Sequence, residues 1–209
     1  MIYTNKSFEF MGSKLIGQYH NNSYIWKVEE CLSIFDNHPN KRYILSLCEN
    51  VLNELWNVKS SQLDDTKNDL KLRNYCENKS HITPGYSSYI MQLDNDLICK
   101  IPRPPIIHNN EIKLLRQINV DSFYRLLPLE FATYDKRFGI ILVYPRAEVC
   151  KNYQDIIDDE FFLTNIEDGL NGNSSYLQTN YDIIDDLDSP EQFGWWQGHL
   201  YILDCGGYM

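Results

Sequence analysis

The chain has 209 residues, 43% of them hydrophobic and 13% aromatic, and a formal net charge of −10. That apolar content is enough for a sizeable core, which excludes wholesale disorder, and the length fits one domain or two small lobes. The charge excludes the clustered Lys and Arg surface that nucleic-acid phosphates require, and it suits docking on a basic partner.

Residues 1 to about 22 carry Phe8, Phe10, Leu15 and Ile16 without a clean period and read as strand or loop. From Tyr24 to Phe35 the apolar positions Ile25, Val28, Leu32 and Phe35 follow helical spacing. Pro39 and its Asn neighbours break that pattern. Tyr43, Ile44, Leu47, Cys48, Val51, Leu52, Leu55 and Trp56 then give the strongest helical pattern in the chain. Its apolar face either packs on the rest of the chain or forms the seam of a homodimer. Ser60 to Asn78 is polar, a solvated helix or a linker.

After Pro84 the period becomes that of strands. Tyr86 to Gln92 and Leu97 to Ile101 flank Asp94-Asn-Asp96, a hairpin signal in which Asn and Asp supply the turn. Pro102, Pro104 and Pro105 end the second strand, and Asn109 or Asn110 caps a short helix from Glu111, with Ile112, Leu115 and Ile118 on one face. Leu126 to Tyr134 and Gly139 to Tyr144 read as a further hairpin turned at Asp135-Lys-Arg137. Residues 152 to 185 are acidic and mixed, with short helices expected around Ile156-Ile157, Phe161-Phe162 and Tyr181 to Ile184. Two short apolar strands around a Gln-Gly turn follow, ending at Asp204.

The six cysteines are widely spaced with no CxxC pair, and no signal-peptide pattern opens the chain. Reduced thiols in a cytoplasmic protein are the expectation. The five histidines lack zinc-ligand spacing. No apolar run approaches the ~18 residues of a membrane span. Heavy use of Asn, Tyr, Ile and Asp suggests an AT-rich genome, such as that of a low-GC bacterium or its phage.

The order strand, strand, helix, strand, strand over the middle of the chain resembles the N-lobe of the protein-kinase-like fold. Gly85-Tyr-Ser87-Ser88-Tyr-Ile resembles a reduced glycine-rich loop, whose small residues and backbone N–H groups approach phosphates. Leu97-Ile-Cys-Lys100-Ile resembles the strand whose lysine holds the α- and β-phosphates. Taken alone, Lys100 also reads as an edge-strand lysine facing solvent. Glu111 resembles the helix glutamate that pairs with that lysine, although Glu is favoured near a helix N-terminus in any case. Asp186-Leu-Asp188-Ser-Pro-Glu-Gln192 resembles the catalytic loop, with Asp186 or Asp188 as base and Gln192 at the metal-holding Asn position. Asp204-Cys205-Gly206 resembles the Asp-Phe-Gly that follows a hairpin and holds Mg²⁺. The bland alternative is an acidic turn and a hairpin.

The resemblance spans residues 84 to 207. It implies an α+β fold: the antiparallel sheet of a kinase-like N-lobe, an added N-terminal helical region over 1–80, and a core over 81–209. That core divides into the N-lobe at 81–147 and a reduced C-terminal part at 148–209. ATP and Mg²⁺ are the implied cofactors. The departures are one glycine in the loop, Gln192 for Asn, an extra residue before it, Cys205 for Phe, and only three residues after Gly206 where a helical lobe is expected. They favour a degenerate, pseudokinase-like protein acting by binding a protein partner, such as a phage or mobile-element inhibitor of a host defence protein. A compact ATP- and Mg²⁺-dependent phosphotransferase is the alternative, and an acidic toxin-immunity protein a third.

Overall fold

The computed structural model describes residues 5–10, 13–20, 23–26, 32–60, 75, 79, 81–85, 88–103, 110, 113–114, 126–152, 154–157 and 189–204. Three strands come first: β1 (Asn5–Phe10), β2 (Ser13–His20) and β3 (Ser23–Trp26), an antiparallel meander in the order β1-β2-β3. The helix expected over 24–35 is corrected here, since its first three residues belong to β3 and pair with β2. Tyr24, Ile25 and Trp26 are strand-favouring side chains, and cross-strand pairing outweighs a four-position helical spacing. Among the described residues of that stretch, Ser33–Phe35 forms a turn of 3₁₀-helix.

Helix α1 (Lys41–Ser60) matches the strong helical pattern. Its N-terminus is set by the break at Pro39, and the first helical bond runs from the Ile44 N–H to the Asn40 carbonyl at 3.0 Å. Ile44, Cys48, Val51, Leu52 and Leu55 recur every three or four residues and are all buried.

The central element is a five-stranded antiparallel sheet. It contains β4 (Ile82–Pro84), β5 (Ser88–Gln92), β6 (Leu97–Pro102), β7 (Phe131–Asp135) and β8 (Gly139–Pro145), in the order β4-β5-β6-β8-β7. The turn between β5 and β6 is built as its residue types suggest: Asp94 Oδ1 accepts from the N–H groups of Asp96 and Leu97, both at 2.8 Å. The later hairpin starts at Phe131 rather than Leu126, because Leu126 instead bridges to Ile202 in parallel.

Strand alternation gives this sheet two apolar faces. Tyr89, Met91, Cys99, Ile101, Phe131, Ile141 and Val143 share one core with the buried face of α1. That packing is intramolecular, so the α1 face serves the chain's own sheet. Ala132, Ile140, Leu142 and Tyr144 form a second core on the opposite face with Leu114 and Leu127. All seven residues of β8 are buried, since both of its faces are covered.

A third, small sheet completes the second face. It comprises β9 (Glu148–Val149), β10 (Phe193–Trp196) and β11 (His199–Ile202), in the order β11-β10-β9. Helix α2 (Gln154–Ile157) lies between β9 and β10 in the chain. Gln197 and Gly198 turn β10 into β11 with φ of 50° and 78°, the two left-handed residues of a type I′ hairpin. Trp196, Tyr201 and Leu203 pack on the second core, which brings the end of β11 beneath β6.

Candidate functional site

Lys100 sits on β6, the middle strand of five, between β5 and β8. Its neighbours Cys99 and Ile101 point into the α1 core, so period-two alternation turns Lys100 to the other face. There it is 4% exposed, which removes the solvent-facing, edge-strand reading. Its ammonium donates to the Leu203 carbonyl at 2.9 Å, lies 3.4 Å from Asp204 Oδ2, and stands 5.3 Å above the centre of the Tyr144 ring.

Asp204 reaches this point because β11 carries the chain there. The Leu127 N–H donates to the Ile202 carbonyl at 2.8 Å and the Leu203 N–H to the Gln192 carbonyl at 2.7 Å, fixing the segment on both sides. Lys100 and Asp204 therefore converge across more than a hundred residues of sequence. A second lysine meets them. Lys113 has helical backbone, is 2% exposed, and places its ammonium 3.0 Å from Asp204 Oδ1 and 3.2 Å from Oδ2. Oδ1 is sealed from solvent and accepts no hydrogen bond, so its contact with Lys113 is one of charge alone. Burial raises the Asp204 pKa, and the charges and hydrogen bonds of Lys100 and Lys113 more than reverse this, leaving the carboxyl below its ordinary value.

Asn110 braces the arrangement. It too has helical backbone, and its fully buried amide donates to the carbonyls of Lys100 and Ile140, each at 2.9 Å. Its Oδ1 accepts from Ser88 Oγ at 3.2 Å. One side chain thus ties the helical residues to β5, β6 and β8. Of the two expected capping residues, Asn110 has helical backbone and a side chain committed to the sheet, and Asn109 lies outside the described residues.

The loop residues are likewise engaged within the chain. The Gly85 N–H donates to the Ser88 carbonyl at 2.9 Å, and the Gly85 carbonyl accepts from Arg103 Nη1 at 2.8 Å. A Cβ at Gly85 would lie 2.8 Å from the Ser88 carbonyl oxygen, so the turn is too tight for any side chain. Ser88 is buried with its hydroxyl on Asn110. Gln192 ends a 3₁₀ turn, Pro190–Gln192, and its carbonyl anchors Leu203. Ser87, Glu111, Asp186, Asp188 and Cys205 lie outside the described residues.

The structure therefore brings Lys100, Ser88, Gln192 and Asp204 around one bonded framework and adds Asn110 and Lys113, which sequence reasoning missed. The available signal was spacing. Asn110, Lys113 and Leu114 stand at i, i+3 and i+4, one helical face, but two polar side chains on that face disguised it. Among the described residues no group of three His, Cys, Asp or Glu side chains gathers as metal ligands. No helix among them is long and apolar enough to cross a membrane. Comparison of the chain with protein-family models, with curated proteins and with solved structures finds no match.

Proposed function

We propose that the chain is a kinase-like binding protein whose lysine–aspartate pair holds the fold and whose surface engages a protein partner. The observation that carries this reading is the engagement of Asp204 by two ammonium groups, Lys100 at 3.4 Å and Lys113 at 3.0 Å. A carboxylate so held is a structural anchor. The kinase-like part of the reading is supported by the sheet order and by a middle-strand lysine that meets an aspartate placed just after a hairpin. The non-catalytic part is supported by Gly85 and Ser88, whose N–H and hydroxyl groups are spent on the chain's own Ser88 carbonyl and Asn110. The net charge of −10 favours a partner with a basic surface, as a phage or mobile-element inhibitor of a host defence protein would have.

Two measurements test this. Incubation with γ-labelled ATP and Mg²⁺ should give no phosphoryl transfer above a protein-free blank. A basic protein captured from a bacterial lysate at low salt should be released by salt and retained by an Asp204→Asn variant that stays folded. Transfer that disappears in Asp204→Asn would overturn the proposal. It would establish the second reading, a compact ATP- and Mg²⁺-dependent phosphotransferase, which the convergence of Lys100 and Asp204 favours.

A further inference from the structure

We infer that Lys113 stands where a divalent cation would sit on Asp204: a tethered ammonium that closes this carboxylate to Mg²⁺. Magnesium requires oxygen ligands at about 2.0–2.1 Å in near-octahedral array and usually engages one or two carboxylates plus waters. Here Asp204 offers Oδ1, which is sealed from solvent, and Oδ2, which already faces both lysines. A cation bound to either oxygen would come within a few ångströms of two ammonium groups, in a site where burial leaves their repulsion poorly screened. The two lysines cannot withdraw easily. Lys100 is anchored through the Leu203 carbonyl on a middle strand, and Lys113 lies on the helical face that Asn110 bonds to β6 and β8. The residues present therefore do not fit the magnesium site that a kinase-like reading implies.

Lys113 does for Asp204 what a metal does elsewhere. It neutralises a half-buried carboxylate, one oxygen of which is sealed from solvent, and joins the segment after β11 to the sheet, with no ion to gain or lose. The consequence for the chain is a fold independent of divalent cations. This inference deepens the binding-protein reading and rests on the same contacts, but the two fail separately. Cation binding by the wild type would overturn metal exclusion and leave partner capture untouched.

The test is Mn²⁺ titration of the full ¹⁵N-labelled chain, watching paramagnetic broadening of the Leu200 to Asp204 amides. The exposed Asp94–Asp96 turn serves as the reference for surface binding to an acidic protein. The wild type should show no more broadening at Leu200 to Asp204 than at that turn, up to millimolar Mn²⁺, and its melting temperature should be the same in Mg²⁺ and in EDTA. Lys113→Gln should acquire saturable broadening at Leu200 to Asp204, with Mn²⁺ affinity there raised roughly tenfold or more. Saturable broadening in the wild type that Asp204→Asn removes would overturn the inference, as would a folded Lys113→Gln that stays as silent as the wild type. If Lys113→Gln does not fold, Lys113→Arg decides. Its guanidinium retains the charge, so it should exclude Mn²⁺ as the wild type does, and site-specific broadening in it overturns the inference.

Discussion

Replacing Asn110 by alanine should destabilise the chain more than the loss of a single carboxamide suggests. The side chain makes three buried hydrogen bonds, to the Lys100 carbonyl, the Ile140 carbonyl and the Ser88 hydroxyl. Each buried bond contributes about 1 kcal/mol net, and the partners left behind have no water to turn to, so the loss should be about 3 kcal/mol. For a chain of this size that lowers the melting temperature by about 6–12 °C. Circular dichroism melts measure it directly. Ser88→Ala should cost about 1 kcal/mol, and the double variant less than the sum, because both changes remove the same bond. Asn110→Asp should be worse than alanine, since a carboxylate oxygen would face two carbonyl oxygens. A fall of under about 2 °C for Asn110→Ala would refute the view that this amide joins the helical residues to the sheet.

Three other outcomes follow from the same contacts. With its folded-state pKa held below the ordinary carboxylate value of about 3.9, Asp204 stabilises the fold above that pH, and the contribution is lost as pH falls through the lower folded value. Urea melts at stepped pH should show this acid limb, flattened in Asp204→Asn, which should also cost about 3–5 kcal/mol at neutral pH because two buried ammoniums lose their carboxylate; an unchanged limb would refute the pairing. Gly85→Ala should cost about 1–3 kcal/mol, because its Cβ meets the Ser88 carbonyl at 2.8 Å, whereas Gly198→Ala, with φ of 78° and open space around it, should cost about 1 kcal/mol; chemical denaturation that reverses this order would contradict the loop geometry. Burial pushes the Cys48 thiol up to about 12 and Cys99 well above its ordinary value, so mass spectrometry should find both unmodified by iodoacetamide at pH 8 in the native protein and alkylated in guanidinium.

Local signals carried much of this fold. The α1 face, the Asp94–Asp96 turn and the hairpin at Gln197-Gly198 are written in short-range residue types, and each appears where its pattern lies. β3 was not legible, because Tyr24, Ile25 and Trp26 satisfy helical spacing while the pairing that makes them a strand is with β2, several residues away. At the site, Lys100 and Asp204 could be marked by their motifs, but which of them would be buried depends on sheet order, and single-sequence periodicity carries none. Lys113 was the hardest. A lysine between apolar residues on a short helix reads as solvated until a carboxylate from a segment 91 residues away covers it. The residue types around Gly85 suggest open N–H groups, but the Gly85 N–H is closed on the Ser88 carbonyl within the same short turn.

The long reach of these contacts also sets a clock on biosynthesis. Lys100 and Leu203 are separated by 103 residues, and Lys113 and Asp204 by 91. At about 5–20 residues per second, a ribosome takes roughly 5–20 s to travel from the lysines to the aspartate. Once Pro145 is added, the five-stranded sheet and α1 are fully made, yet both ammonium groups still lack Asp204, and sinking them into the second apolar face would be costly. The α1 face can close early, while the opposite face must stay wet until β10 and β11 arrive. Nascent chains stalled before Phe193 should therefore expose the second face to chaperones.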